Sequence, residues 1–290
     1  MRTWLVLAIA ACGRTEPTAQ VRSSPSVAPV AADAALAITV DAPAGPCPVA
    51  KEALGPGLTV ERWHVTNATP AAGEPCIDVV RADPSRYALR ALTAEHGARS
   101  ALAWQRTFDL VAVINAGMFH EGGEPVGLVV AGEQTRGIDN EKFGGYFAWD
   151  PRAPNLPAAT MFGRTCPNIG QRDHYGSFVQ SYRLLDCDGR AIRWQDPKQY
   201  SAAAIGVDRS GHIVFLHARG AFTMHELSTA LAAHDLTGAI FLEGGPEASL
   251  VVHGQDGTLE RVGSYETGFV ENDGNTAFWD LPNVIALVPR

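Results

Sequence analysis

The stretch that decides the fold is Phe241–Val252, FLEGGPEASLVV. The apolar residues 239–242, which lead into this stretch, and 250–252, which end it, have the composition of buried strand segments. Between them, two glycines permit positive φ and a proline fixes φ, so the chain must turn sharply there. Glu243 and Glu247 therefore flank one tight turn. That turn is either a solvated loop with two surface carboxylates or the wall of a site.

Apolar runs and alternating segments elsewhere predict a sheet-rich protein with few helices. The helix signal is weak at 100–108 and clear at 223–232, where Thr223 and Glu226 have the spacing of a capping box. With 290 residues, 46% of them hydrophobic, the chain can bury one substantial core. We therefore predict a mixed α+β single domain, with strands at 58–65, 76–82, 87–92, 110–114, 126–130, 133–135, 143–149, 159–162, 178–185, 203–208, 212–217, 239–242, 250–252 and 282–288.

The beginning of the chain predicts export. Met1–Gly13, MRTWLVLAIAACG, combines one positive charge, a short apolar run, small residues and a cysteine, as in a bacterial lipoprotein signal. On this interpretation residues 1–12 are a signal peptide that ends at a lipidated cysteine. Cys12 then anchors the mature protein to a membrane of the cell envelope. Gly13 after the cysteine favours the outer membrane. The alternatives are a plain secretory signal and, because the run is short, less favourably a transmembrane helix.

The remaining segments divide into a tether and a domain. Residues 13–56 are rich in Ala, Pro, Val, Ser and Thr and are expected to be disordered, whereas 57–290 form the domain. The formal net charge of -8 and the absence of Lys and Arg clusters argue against a nucleic-acid partner.

The cysteines other than Cys12 predict two disulfides. Cys47, Cys76, Cys166 and Cys187 are an even number in an exported chain, and they allow three connectivities. We favour the local pairs, the first with the second and the third with the fourth, because shorter loops cost less entropy to close. A zinc site is disfavoured because no cysteine pair has the CxxC spacing and the histidines are scattered.

Polar residues follow the predicted buried strand at 110–114. Asn115 either binds sugar hydroxyls or pins its own turn through the backbone. His120 has the features of a half-exposed turn residue more than those of a catalyst. Arg183 is either an arginine that pairs with a carboxylate at a sheet edge or a guanidinium that recognises phosphate.

Motifs for the common cofactor and metal chemistries are absent. The chain has no P-loop, no Gly-x-Ser-x-Gly elbow, no His-Glu-x-x-His and no internal repeat. We therefore assign no cofactor and no metal ligand. Asn272–Asn275 is interpreted as a plain turn rather than a calcium loop.

Six short segments form an ordered set along the chain. They are Asn115–Phe119, Pro125–Leu128, Gln180–Ser181, Ile205–Val207, Glu243–Gly245 with the following Leu250, and Pro282–Ile285. The same segments occur in this order in the phosphodiester glycosidase family, which the chain resembles from 58 to 288. The resemblance implies a sheet-rich α+β domain that hydrolyses the bond between a sugar anomeric carbon and a phosphodiester.

The resemblance also implies site residues. Phosphate is a good leaving group, so binding its charge and stabilising an oxocarbenium-like transition state matter more than protonating it. We expect Arg183 to bind the phosphate and Glu243 or Glu247 to act as nucleophile or base. The substrate-binding candidates are Asn115, Gly117, His120, Gln180, Ser181, Gly244, Gly245 and Glu266.

Three departures from the family pattern keep a second hypothesis open. The family commonly has Ser-Gly-Pro at 181–183, an arginine at Ala202, and Asp-Gly-Gly-x-Ser at 243–247. Arg183 can replace the arginine absent at Ala202 only if their two strands are neighbours. The alternative is a surface lipoprotein that binds glycans without cleaving them, and a purely structural envelope protein is the least favoured hypothesis.

Overall fold

The computed structural model describes Cys47 and residues 51–66, 68–94 and 97–290. The predicted signal with Cys12, and the tether as far as residue 46, lie outside these residues. Neither α-helix of the described chain is long and apolar enough to cross a membrane. The elements, in chain order, are β1 (Glu52–Gly55), β2 (Leu58–His64), β3 (Cys76–Ala82), β4 (Tyr87–Thr93), β5 (Arg99–Ser100), α1 (Ala101–Phe108), β6 (Ala112–Asn115), β7 (Val129–Ala131), β8 (Gln134–Arg136), β9 (Gly145–Pro151), β10 (Ala159–Gly163), β11 (Tyr175–Ser181), β12 (Gln199–Asp208), β13 (Ile213–Thr223), α2 (Met224–Ala232), β14 (Leu236–Gly244), β15 (Ser249–Gly254), β16 (Gly257–Val262), β17 (Asp280–Leu281) and β18 (Asn283–Pro289).

The strands form three antiparallel sheets and a two-stranded ladder. The first sheet has the order β1-β2-β3-β13-β12-β14, the second β10-β9-β11-β7-β8, and the third β16-β15-β6-β18-β4, while β17 pairs with β5. β6 lies in the middle of the third sheet, which confirms the buried central strand predicted from 110–114. The sheet-rich α+β prediction with few helices is confirmed.

One core is shared by all three sheets. Val80 and Ile205 from the first sheet, Val179 from the second, and Ile114 and Leu250 from the third belong to one cluster of buried apolar side chains. Two smaller clusters occupy the outer faces of the first and third sheets, where α2 and α1 cover them. The sheets therefore bury one face against a common interior, as a single domain requires.

Local sequence chemistry sets both helices. The Thr223 hydroxyl accepts from the Glu226 N–H, and the Glu226 carboxylate accepts from the Thr223 N–H, which confirms the predicted capping box at the start of α2. The Ser100 hydroxyl caps α1 by accepting from the Ala103 N–H at 3.1 Å.

Both predicted disulfides are present. Cys47 bonds to Cys76 and Cys166 to Cys187, with sequence separations of 29 and 21 residues. Cys47 and β1 correct the predicted boundary, because the bonded cysteine and the strand both lie inside the segment 13–56 that was expected to be a disordered tether. β1 pairs with β2 across a two-residue turn, so ordered structure begins before residue 57.

The predicted strand 178–185 is wrong in its second half. β11 ends at Ser181, and the chain then leaves the second sheet and runs beside β14 of the first. Arg183 forms an isolated bridge with Ile240, and the Phe241 N–H donates to Tyr182 O at 2.9 Å. The alternation of apolar and polar side chains in 178–185 thus continues from one sheet to the next. Periodicity alone does not reveal that the strand ends at Ser181.

Candidate active site

The turn between Glu243 and Glu247 carries the chain from one sheet to another. β14 is an edge strand of the first sheet, β15 belongs to the third, and a single 3-10 turn, Gly245–Glu247, joins them. A β-bulge precedes the turn: Ala203 pairs with Glu243 and Ala204 with Phe241, so Leu242 is the extra residue. Bulges re-aim side chains, and this one sets the direction of Glu243.

Three carboxylates meet at this turn. Gly245 has φ +64, and a Cβ placed on it would lie 2.5 Å from Glu266 Oε2 and 3.5 Å from Glu247 Oε2. The Glu266 carboxylate therefore occupies space that a side chain at 245 would need, and the Glu247 carboxylate lies at ordinary contact distance from the same position. Glu243, whose Oε1 accepts from the Gly244 N–H at 3.2 Å, interacts electrostatically with both. All three side chains are partly accessible to solvent.

The cluster raises the pKa of each carboxyl group. Burial, followed by repulsion from Glu247 and Glu266, raises the pKa of Glu243 to about 8. Burial also raises the pKa of Glu247, with a contribution from the charge of Glu266. Burial raises the pKa of Glu266, and the positive charge of Lys198 opposes part of this rise. Near neutral pH the site therefore retains at least one proton, on Glu243.

The loop that carries Glu266 is held by a polar network. The Ser201 hydroxyl accepts from the N–H groups of Ser264 and Tyr265 at 3.0 and 3.2 Å and donates to Arg219 O at 2.6 Å. The Arg219 guanidinium donates to Val262 O and Asn275 O. The loop is thus fixed at both ends, so Glu266 is pre-positioned.

Two residues beside the cluster were missed by sequence reasoning. The Tyr200 ring packs against Gly244, with its Cδ2 3.1 Å from the position of a Cβ. Burial and the charges of Asp196, Glu266 and Glu243 raise the pKa of Tyr200. Lys198 is exposed, and its positive charge opposes the rise in the pKa of Glu266. Neither residue lies in a recognisable motif, so the sequence carries no signal for them.

His217 supports the turn from inside the core. Its Nε2 lies 3.2 Å from Ala248 O, and since a carbonyl only accepts, Nε2 carries the proton and donates. Complete burial lowers the pKa of His217 to about 4, so the ring is neutral. The Gly263 N–H donates to the same carbonyl at 2.7 Å. Ala248 is thereby fixed next to Glu247.

Asn115 and Gly117 lie beside the turn. Asn115 Oδ1 accepts from the Ser249 N–H at 3.2 Å, while its buried Nδ2 has no hydrogen-bond partner among the described residues. The Cβ position of Gly117 lies 3.9 Å from Leu242 O, next to Glu243. Asn115 thus pins the backbone of the turn, which is the second of the two roles considered for it.

Gln180 holds a neighbouring loop in place and does not bind sugar as expected. Its Oε1 accepts from the N–H groups of Leu128 and Asn140, and its Nε2 donates to Asp139 and to backbone carbonyls. All hydrogen-bonding capacity of the amide is used to hold the loop at 137–143, which leaves none for a ligand. The neighbouring Ser181 is buried, and its hydroxyl has no partner among the described residues.

Arg183 and His120 are not brought to the carboxylates. Arg183 Nη1 lies 2.9 Å from Cys166 Sγ and 3.4 Å from Cys187 Sγ, so the guanidinium packs on a disulfide. Its segment and β12, which carries Ala202, lie on opposite sides of β14 and are not neighbours. The condition for replacing the missing arginine is therefore not met. His120 lies on an exposed turn, where its N–H donates to Glu124 O.

A separate cleft of about 540 Å³ lies between the first and third sheets, lined by residues of β2, β3, β13 and β16. Its charged groups pair with one another: Arg62 and Arg261 both contact the buried Asp78, at 3.3 and 2.9 Å. Because these groups are committed to each other, we assign the chemistry to the carboxylate cluster. No group of three His, Cys, Asp or Glu side chains in the described chain is arranged to hold a metal ion.

Solved structures of other proteins have a similar fold. The catalytic domain of zebrafish N-acetylglucosamine-1-phosphodiester alpha-N-acetylglucosaminidase, auto-inhibited by its pro-peptide, has a TM-score of 0.59 at 13% identity, covering 83% of this chain and 87% of that one. A hypothetical protein from Synechocystis has a TM-score of 0.54 at 15% identity. This chain covers 62% of that protein, which covers 81% of this chain. At these identities the likeness shows the fold alone.

The sequence comparisons are more specific about the family. No curated protein sequence matches the chain. The sequence profile of the phosphodiester glycosidase family matches residues 108–288, which include the turn at Gly245 and the loop of Glu266. The match spans more than half of the chain and bears out the resemblance noted from the six segments. The protein belongs to the phosphodiester glycosidase family.

Proposed function

We propose that this protein hydrolyses the bond between a sugar anomeric carbon and the phosphate of a glycosyl phosphodiester. Family membership supports a glycosidase-type function and a carbohydrate-type substrate. The observation that carries the proposal is the convergence of Glu243, Glu247 and Glu266 at one partly accessible turn. Glycoside hydrolysis is most often carried out by a pair of carboxyl groups in different protonation states.

Glu243 is the proton carrier of the site. With its pKa raised to about 8, it is neutral at pH 7 and can donate a hydrogen bond to a phosphate oxygen. Three ionised carboxylates would repel the anionic substrate, so the retained proton is also a condition of binding. The phosphomonoester departs beside two further carboxylates, so its developing negative charge must be neutralised. The same proton therefore assists departure, a larger role for protonation than the leaving group alone predicts.

Glu247 or Glu266 acts at the anomeric carbon. In its ionised form, either group can stabilise positive charge at the anomeric carbon and accept a proton from the attacking water. The bond from the anomeric carbon to the phosphate oxygen breaks, and the phosphomonoester leaves with the electron pair. The products are a free sugar and a phosphomonoester.

Lys198 takes the role first assigned to Arg183. Its positive charge opposes the rise in the pKa of Glu266, so it acts on the carboxylate cluster through space. We expect Lys198→Ala to raise the KM for a glycosyl phosphodiester about fivefold with little change in kcat, since a partly screened charge contact contributes about 1 kcal/mol. Arg183→Ala is the matched control and should leave KM within twofold. A larger effect of Arg183→Ala than of Lys198→Ala would contradict this assignment.

Product analysis tests the proposed function. The protein would be incubated with a panel of glycosyl phosphodiesters that includes teichoic-acid-like compounds and UDP-sugars. We expect release of free sugar with a phosphomonoester from at least one member. Release of a sugar phosphate instead would indicate cleavage on the other side of phosphorus, and no release from any member would remove the proposal.

The alternative is glycan binding without catalysis on the same scaffold. It is favoured by the substituted motif positions, namely Ala202 and the two glutamates at 243 and 247, and by the engagement of Arg183 with a disulfide. Binding of a glycan with no turnover by the wild-type protein, and with no loss of binding in Glu243→Gln, would support it.

We propose that the protein is exported and lipid-anchored through Cys12 in the bacterial cell envelope, at the outer membrane. Two disulfides support an oxidising compartment. In cell fractionation we expect the wild-type protein with the outer membrane and the Cys12→Ser variant in the soluble periplasmic fraction. Equal distribution of the two proteins would exclude lipidation at this residue.

A further inference from the structure

Two aromatic side chains are exposed near the carboxylate cluster. Phe269 is 58% exposed and Trp279 is 37% exposed, although both are large apolar groups. Their ring centroids are 5.9 Å apart, and their planes meet at 77° in an edge-to-face arrangement. Burial normally removes such rings from water, so an exposed pair of this kind is typical of a binding surface.

The turn that carries Phe269 begins at Glu266. The N–H groups of Phe269 and Val270 both donate to Glu266 O at 3.1 Å, and the Glu266 N–H donates to Val270 O at 2.9 Å. The Cα atoms of Glu266 and Phe269 are therefore less than about 7 Å apart, as in any tight turn. One sugar ring is about as long, so a ligand at the carboxylates can reach the aromatic pair with its next unit.

The pair is held in place before any ligand binds. The Gly268 N–H donates to Glu271 Oε1 at 2.7 Å, and the Thr267 N–H donates to Gln199 O at 3.0 Å. Trp279 directly precedes β17, whose pairing with β5 fixes the other side. Rigid aromatic side chains lose little conformational entropy on binding, which suits a recognition site.

We propose that Phe269 and Trp279 form a subsite for a second sugar ring, next to the sugar whose bond is cleaved. The inference rests on the proposed function, which places the first sugar at the glutamates. The apolar face of a pyranose stacks on an aromatic ring, while its hydroxyls require polar acceptors at the edge. Glu271 and Asp280 are exposed and lie within two residues of Phe269 and Trp279 in sequence, and Glu271 Oε1 already accepts from the Gly268 N–H. Their negative charge disfavours an anionic partner such as nucleic acid or an acidic lipid surface.

Calorimetric titration on the full chain tests the subsite. Glu243→Gln serves as the background so that substrate is not consumed. The probes are the methyl diester of N-acetylglucosamine 1-phosphate, with one sugar, and the methyl diester of chitobiose 1-phosphate, in which a second sugar is joined directly to the first. We expect Trp279→Ala and Phe269→Ala to weaken binding of the two-sugar diester about tenfold and of the one-sugar diester less than twofold.

Conservative and matched variants make the result specific. Trp279→Phe keeps an aromatic face and should bind the two-sugar diester within threefold of the background protein. Phe108→Ala removes another exposed ring, one that is 46% exposed and packs on Trp104, and should change neither affinity. Equal weakening of both diesters in Trp279→Ala, or no weakening of either, would overturn the subsite.

A third probe separates this inference from the proposed function. Chitotetraose carries sugar rings without phosphate. If wild-type protein cleaves neither diester but binds chitotetraose, and Trp279→Ala weakens that binding, the hydrolysis proposal fails and the sugar subsite stands. If none of the three probes binds, the subsite is overturned.

Discussion

Replacing Glu243 by glutamine is expected to lower kcat/KM for a glycosyl phosphodiester by about a thousandfold, because the amide cannot give up a proton to the departing phosphate. In the wild-type protein, activity should fall as pH rises through about 8, where Glu243 ionises and its charge also repels the substrate. The residual activity of Glu243→Gln should not fall with rising pH in this range. The measurement is kcat/KM from pH 5 to 10 for both proteins.

The same substitution should stabilise the fold at alkaline pH. The folded-state pKa of Glu243, about 8, lies above its ordinary value of 4.5, so between these values the folded state binds more protons than the unfolded state. The free energy of unfolding of the wild-type protein therefore falls as pH rises through this window. We expect Glu243→Gln to be neutral near pH 4.5 and stabilising by a few kcal/mol above pH 8. Full activity combined with unchanged stability at pH 9 would remove Glu243 from the account.

Gly245→Ala should have the second largest effect. The added methyl group would lie 2.5 Å from Glu266 Oε2, and the residue would keep φ +64, so both the carboxylate and the turn must shift. Displacement of a catalytic group by about 1 Å costs on the order of a hundredfold in rate. We expect a loss in kcat of that size, together with a lower melting temperature.

Gly211→Ala separates strain from displacement. Gly211 also has a positive φ, +82, but nothing lies within 4 Å of its Cβ position. This variant should lose about 1 kcal/mol of stability from backbone strain and keep its kcat. If Gly245→Ala and Gly211→Ala lowered kcat equally, close packing at the Gly245 turn would not be what positions the carboxylates.

Much of the fold could be predicted because its signals are local. The capping box of Thr223 and Glu226 and the hairpin over 209–211 depend on neighbouring residues, and both are found. β16 was missed because its residues are mostly half-buried and carry no clear apolar alternation, and its place depends on pairing with β15. The end of β11 was missed because the change of partner at Ser181 depends on another sheet.

The location of the candidate site could be predicted from the sequence better than the residues that form it. Glu243 and Glu247 stand out because two glycines and a proline lie between them. Arg183 seemed suited to phosphate, but sequence could not reveal that a disulfide covers its guanidinium. Tyr200 contacts the cluster, and the charge of Lys198 acts on it, only because β12 begins beside the loop of Glu266, a juxtaposition created by tertiary structure.

Hydrolysis in water enriched in oxygen-18 tests the central claim most directly. If carboxyl groups act at the anomeric carbon, water attacks carbon, and mass spectrometry will find the heavy oxygen in the released sugar and none in the phosphomonoester. The yield should fall about a thousandfold in Glu243→Gln. Heavy oxygen in the phosphate product would show attack at phosphorus and contradict the account.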